Sequence, residues 1–168
     1  IYLYFLNRRY SMKSMQNWLD EYGESHHNPL NKKIHWICVP AIMFSVLGLW
    51  WSIPHGYMPF IINNIKLNWA IIITAMILLY YIRLSLVMAI GMFIIGFALL
   101  AGNSYIDTNF ETPLWKTSLI IFVVAWIGQF IGHKIEGKKP SFFQDLQFLL
   151  IGPAWLLSFI YNKFGIKY

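Results

Sequence analysis

Three histidines, His26, His35 and His133, stand where the chain enters or leaves an apolar run. Imidazole nitrogen is a good ligand for iron, zinc or copper. An ionisable side chain at the edge of a membrane-spanning segment is costly to bury, so it is by default a functional candidate. We therefore take these three side chains as candidate metal ligands, provided that the fold brings them to one place.

The first two histidines flank a break in the chain. His26 and His35 are nine residues apart, which on one straight helix is about two and a half turns and places them on opposite faces. The dipeptide Asn28-Pro29 lies between them, and the residue before proline disfavours helical backbone. The chain can therefore fold back at this point and turn both imidazoles towards a common centre.

The third histidine lies on a polar helical face. Gln129, His133 and Glu136 follow at i, i+4 and i+7, so one narrow face of a helix carries all three. Glu136 is either a further ligand or the acceptor of the second ring proton of His133. Gly132 leaves room beside the histidine for another element, and His27 is a possible additional ligand.

The number of histidines narrows the kind of metal centre. The chain has 5 in total, far too few for a histidine-rich two-iron site. A mononuclear centre with open positions fits this ligand set, and so does zinc with an activated water. The single cysteine, Cys38, excludes an intrachain disulfide and is interpreted as a small buried residue.

The composition predicts the elements that must hold these side chains. The chain is 58% hydrophobic and 12% charged, whereas soluble domains carry about 25% charged residues. This indicates an all-α membrane bundle. We interpret residues 1–14 as an N-terminal extension without the order of a signal peptide, 15–162 as one membrane-embedded catalytic domain and 163–168 as a tail. The net charge of +6 comes without a nucleic-acid-binding motif, so no nucleic-acid partner is expected.

Four to five transmembrane helices are expected after a short amphipathic helix that carries Met15, Trp18, Leu19 and Tyr22. The first span is 34–53. The apolar stretch 69–101 is too long to cross once, so it is divided near Arg83 to Ser85, and 114–132 forms the fourth span. Polar connectors cover 54–68 and 102–113. A fifth run, 146–161, is broken by Gly152-Pro153 and either crosses as a kinked helix or lies partly in the interface.

Counting faces along these spans places His26, His27, His35 and His133 on one side and His55 on the other. Nine of the 13 lysines and arginines fall on the first side and four on the second if the last run crosses, which makes the first side cytoplasmic under the positive-inside rule. We expect an integral protein of a bacterial inner membrane, or of the endoplasmic reticulum if the source is eukaryotic, with its site at the cytoplasmic face.

Two motifs in this order resemble the membrane 2-hydroxy fatty acid dioxygenases, a family known from the α-oxidation step of fungal phytosphingosine breakdown. The residues that carry the resemblance, which covers roughly 15–162, are Tyr22-x3-His26-x4-Asn31-x3-His35-x4-Pro40, then Gln129-x3-His133-x2-Glu136-x3-Pro140 and Asp145.

The resemblance implies an Fe(II)-dependent enzyme that uses O2 to shorten a long-chain 2-hydroxy fatty acid by one carbon. His26, His35 and His133 would hold the iron, with Glu136 or His27 as possible further ligands. Tyr22, Asn31, Gln129 and Asp145 would support them. A zinc-dependent membrane lipid hydrolase and a non-enzymatic helical membrane protein are the alternatives. Acyl-length preference, stereochemistry and oligomeric state are not fixed by the sequence.

Overall fold

The chain folds into helices, as predicted for an all-α protein. The computed structural model describes residues 13–54, 61–62, 65–137 and 148–168. Within these ranges lie six helices: α1 Met15–Gly23, α2 Pro29–Trp51, α3 Trp69–Leu84, α4 Leu86–Asn109, α5 Leu114–Glu136 and α6 Ile151–Lys163. A two-residue antiparallel pair, β1 Ile61–Ile62 and β2 Ile65–Lys66, precedes α3.

The break between α1 and α2 falls at the predicted proline. Asn28 is extended, and its side-chain oxygen accepts a hydrogen bond from the Leu30 backbone N–H at 2.9 Å. Pro29 opens the helix, where its missing N–H costs nothing. Helix α2 therefore begins five residues before the predicted start of the first span and carries His35 within the helix.

Ser85 alone separates α3 from α4, which confirms the predicted division near Arg83 to Ser85. Its backbone is extended, and its hydroxyl accepts a hydrogen bond from the Met88 N–H at 3.2 Å, which caps α4. Thr74 and Gly96, each eleven residues from Ser85, approach one another, since a Cβ at Gly96 would lie 3.1 Å from Thr74 Cγ2. The two helices therefore form an antiparallel hairpin.

One predicted boundary was wrong, and of the two arrangements considered for the last apolar run, the kinked helix is excluded. Helix α4 continues through the expected connector 102–113 as far as Asn109, because the amide of Asn103 is buried and donates to the carbonyls of Phe44 and Leu99. Gly152-Pro153 does not kink a helix, because it lies in the first turn of α6, where proline is tolerated.

The structure also revises the number of spans. Among the described residues, three helices, α2, α4 and α5, are long and apolar enough to cross a membrane. Helix α3 has 16 residues and reaches only about 24 Å, short of the roughly 30 Å hydrocarbon core. Helix α6 has 13 residues and is mostly buried against the protein. Four to five full crossings are therefore not established by helix length.

Helices α2 and α5 form the most extensive pairing. They run antiparallel and approach at glycines: a Cβ at Gly128 would lie 2.5 Å from Cys38 Sγ, and one at Gly132 would collide with Asn31 Oδ1. Such small residues four apart allow membrane helices to pack closely. The start of α2 thereby lies against the end of α5.

Candidate metal centre

The fold brings the three predicted ligands together at one end of the bundle. His26 lies in the loop after α1, His35 lies in the second turn of α2, and His133 lies in the last turn of α5. The His26 ring centroid is 4.4 Å from that of His35 and 5.9 Å from that of His133, and the His35–His133 centroid distance is 5.6 Å. His26 and His35 are 3% and 1% exposed, so these imidazoles are shielded from solvent.

Backbone carbonyls fix the tautomers of the first two rings. His26 Nδ1 donates to the Tyr22 carbonyl at 2.7 Å, and His35 Nδ1 donates to the Asn31 carbonyl at 3.0 Å. A carbonyl oxygen can only accept, so each Nδ1 carries the hydrogen of its neutral ring. Each Nε2 then carries a lone pair, and the two Nε2 atoms are 3.0 Å apart.

Two lone pairs at this separation call for a shared cation, either a proton or a metal ion. Ligands in adjacent positions of an octahedral ion with metal–nitrogen bonds of about 2.1 Å would be about 3.0 Å apart. The observed Nε2–Nε2 distance is that value. Metal-bound histidines commonly donate the other ring N–H to a carbonyl, as both rings do here. The residues present therefore fit a metal ion.

The third imidazole stands slightly apart. Within the ranges that the structure describes, no three His, Cys, Asp or Glu side chains close around one point as a complete metal cage. The His133 ring is partly exposed and farther from the other two rings than they are from each other. A small inward movement of this side chain would be needed for all three imidazoles to meet one ion.

Glu136 joins the end of α5 to the start of α2. Its carboxylate accepts hydrogen bonds from the backbone N–H groups of His27 at 2.7 Å and Asn28 at 3.0 Å, and from Asn31 Nδ2 at 2.9 Å. These donors belong to the segment between His26 and His35. Glu136 thus fixes the distance between the two histidine-bearing segments, a geometry that the proposed roles of ligand or acceptor from His133 did not include.

Aromatic rings pack against one face of the His26 imidazole. Tyr22 stacks on it with centroids 4.2 Å apart and an interplanar angle of 12°, and Trp155 from α6 lies 5.2 Å away. Tyr22 was predicted from the sequence as a supporting residue, whereas Trp155 was not. The only signal was the small-residue pair Gly152-Pro153, which lets α6 begin against the Tyr22 hydroxyl.

The other residues singled out from the sequence divide into three groups. Asn31 and Gln129 are buried beside the histidines, on α2 and α5. His27 is exposed, and its backbone rather than its ring is engaged by Glu136. Asp145 and His55 lie outside the described residues. The assignment of roles to all of these side chains stays a prediction.

The described residues form an all-α bundle in which three histidines converge at the end of two helices long and apolar enough for a membrane, and sequence comparison gives the family. Residues 12–164 match the family model described as Mpo1-like, 2-hydroxy-palmitic acid dioxygenase Mpo1-like. The chain belongs to this family, which confirms the resemblance. It is 27% identical over 161 residues, 90% of this chain and 82% of the relative, to the 2-hydroxy-palmitic acid dioxygenase MPO1 of Saccharomyces cerevisiae. No solved structure matches.

Proposed function

We propose that this protein is an Fe(II)-dependent dioxygenase that converts a long-chain 2-hydroxy fatty acid and O2 into the fatty acid one carbon shorter, CO2 and water. The bond between C1 and C2 breaks, C2 becomes the new carboxyl carbon, and C1 leaves as CO2. These oxidations release four electrons, which O2 accepts. The activity for which the yeast relative is named and the family match support this class of substrate.

The observation that carries the proposal is the pair of buried imidazoles whose Nε2 atoms, 3.0 Å apart, both present lone pairs. His26, His35 and His133 would hold the iron, which supplies activation of O2 and chelation of the carboxylate and 2-hydroxyl groups when bound. The Tyr22 and Asn31 carbonyls hold the first two rings in the ligating tautomer. Glu136 keeps the segment that carries them against the end of α5.

Two aromatic side chains also shield one face of the proposed metal centre from water. Tyr22 and Trp155 cover the face of His26, and both are less than 10% exposed. Water competes with the substrate headgroup for open metal positions, and a site closed at this face of His26 leaves the headgroup to approach from the other face. The partly exposed His133 marks the side from which a lipid headgroup would enter.

The proposed location is an integral membrane protein with this site at the cytoplasmic face. Helices α2, α4 and α5 are long and apolar enough to cross a bilayer. The antiparallel pairing of α2 and α5 puts the start of α2 beside the end of α5, on the side to which the predicted topology assigns most lysines and arginines. A lipid substrate would reach this site from the membrane itself.

The test is a reaction with the full chain purified in lipid nanodiscs. Metal content is measured by mass spectrometry, and O2 uptake is followed after addition of 2-hydroxyhexadecanoate. We expect bound iron, with one pentadecanoate formed for each O2 consumed. Bound zinc without O2 uptake would favour the hydrolase alternative. Neither metal nor turnover, in a folded protein, would favour a non-enzymatic role.

A further inference from the structure

A cleft lies between α2, α3, α4 and the start of α6. Its lining is apolar apart from two hydroxyl groups, and both donate their hydrogen to backbone carbonyls: Thr74 to Ala70 at 2.7 Å, and Tyr81 to Leu150. The cleft therefore offers a hydrocarbon surface without a site for a polar headgroup.

The cleft continues the face of α2 that carries the metal centre. His35, Val39, Ile42 and Val46 follow at i, i+4, i+7 and i+11, so they lie along one stripe of the helix. Val39 is buried, and Ile42 and Val46 line the cleft. From His35 to Val46 is about 16 Å along the axis, close to the roughly 15 Å depth of hydrocarbon in one leaflet.

The start of α6 also lies between the cleft and the histidines. Gly152 lies against the hydroxyl of Tyr22, the residue stacked on His26, and the next residue, Pro153, lines the cleft. The far wall is closed by the α3–α4 hairpin, where Thr74 and Gly96 approach closely. The start of α6 thus lies both against the ring that stacks on His26 and along the cleft, which α2, α3 and α4 also bound.

We infer that this cleft binds the acyl tail of the substrate, and that Val46, near its far end along α2, limits the length of tail that fits. The inference rests on the proposed function and adds a site to it. The headgroup would lie at the histidines while the tail follows the stripe from Val39 to Val46. Chain-length preference then depends on the side chain at position 46.

Turnover of a short and a long substrate tests the role of Val46. In Val46→Phe the larger ring would displace terminal methylenes of 2-hydroxyhexadecanoate but leave 2-hydroxydecanoate undisturbed. Each methylene removed from apolar contact costs about fourfold in affinity, so displacement of two lowers the long-to-short ratio of kcat/KM by about fifteenfold. Val124→Phe, at a side chain 63% exposed on α5, is the matched control and should leave the ratio unchanged.

Val46→Ala gives the opposite change without risk of overpacking and should shift preference towards tails longer than sixteen carbons. If Val46→Phe and Val46→Ala both retain the wild-type length profile, the inference is overturned. A Val124→Phe variant that shifts the profile as much as Val46→Phe would overturn it too.

Photolabelling separates this inference from the proposed reaction. The probe is 2-hydroxyhexadecanoate with a diazirine near the tail end, added to the protein in nanodiscs and mapped by peptide mass spectrometry. We expect labelling of residues 42–47 and 73–78, reduced by excess 2-hydroxyhexadecanoate. Labelling there without turnover would reject the dioxygenase and retain the lipid site. Turnover with labels confined to lipid-facing residues would reject the cleft and retain the reaction.

Discussion

The Nε2 atoms of His26 and His35 face each other at 3.0 Å, and each ring donates its Nδ1 hydrogen to the carbonyl four residues earlier in the chain. The two segments differ in local structure, since one is a loop and the other a helix. The same carbonyl contact nevertheless sets both tautomers. The backbone therefore holds both rings in the tautomer that leaves each Nε2 able to bind a cation.

His35→Ala should abolish iron retention. It removes one of three proposed ligands, and loss of even a residue that only supports a ligand lowers metal affinity by about 10–100-fold. We expect a fall in iron affinity of more than about a hundredfold, with O2 uptake lost in parallel. His27→Ala is the matched control, because that ring is exposed, and iron bound per protein should stay near the wild-type value. Equal loss in both variants would contradict the assignment.

Iron should stabilise the folded chain. A ligand that binds only the native state at a hundred times its dissociation constant adds about 2.7 kcal/mol. We expect chelation to lower the Tm in detergent and Fe(II) to restore it under anaerobic conditions. His35→Ala should show neither change. A wild-type Tm that ignores both treatments would argue against a metal held by these residues.

Glu136→Ala should loosen the contact between α2 and α5. It leaves the His27 and Asn28 N–H groups and the Asn31 amide without their carboxylate acceptor. Because this side chain is partly exposed, water recovers some of the loss, and we expect a cost of about 1–2 kcal/mol in stability. Iron affinity should fall as well, and Glu136→Gln should recover part of both. Glu111→Gln, an exposed carboxylate beyond α4, is the control, measured by thermal denaturation and iron titration.

Gly132→Ala should separate the same two helices. The added Cβ would collide with Asn31 Oδ1, which is buried, so either the Asn31 side chain or the backbone must shift. Overpacking of this kind costs about 1–3 kcal/mol. Ile131→Ala, at a neighbouring side chain 51% exposed, should cost less. Thermal denaturation with iron titration compares them, and a Gly132→Ala protein as stable and as iron-loaded as the wild type would contradict the close approach.

Tyr22→Leu should weaken the metal centre more than Tyr22→Phe. Phenylalanine keeps the ring stacked on His26 at 4.2 Å, whereas leucine removes it. Aromatic pairs contribute about 0.5–1.5 kcal/mol beyond burial, so iron affinity in the leucine variant should be lower by up to about tenfold. Iron titration of the two variants is the measurement. Equal affinities would mean that the stack does not position His26.

The convergence of the histidines was predictable because it depends on topology rather than on contacts. Asn28-Pro29 located the break, and the four predicted passages between His35 and His133, an even number, placed both at one face. The division at Ser85 followed from a stretch too long to cross once. Each of these inferences uses a property that is local or can be counted along the chain.

Pairings between distant segments were not predictable. Asn103 looks like a connector residue, yet it lies inside the bundle because carbonyls of α2 and α4 accept its amide hydrogens. Glu136 was interpreted from the sequence as a candidate ligand. Nothing in the sequence shows that its carboxylate accepts a hydrogen bond from the segment at the start of α2. Trp155 lies in an apolar run. A tryptophan at a membrane interface and a tryptophan packed on an imidazole have the same sequence surroundings there, so the sequence does not distinguish them.

The position of the three imidazoles along the chain also bears on its synthesis. His26 and His35 emerge early from the ribosome, whereas His133 follows about a hundred residues later, in the last turn of α5. A nascent chain arrested after α4 would have two imidazoles without the third, and α2 without its glycine-bearing partner. Full iron loading would then report that translation and insertion had passed α5.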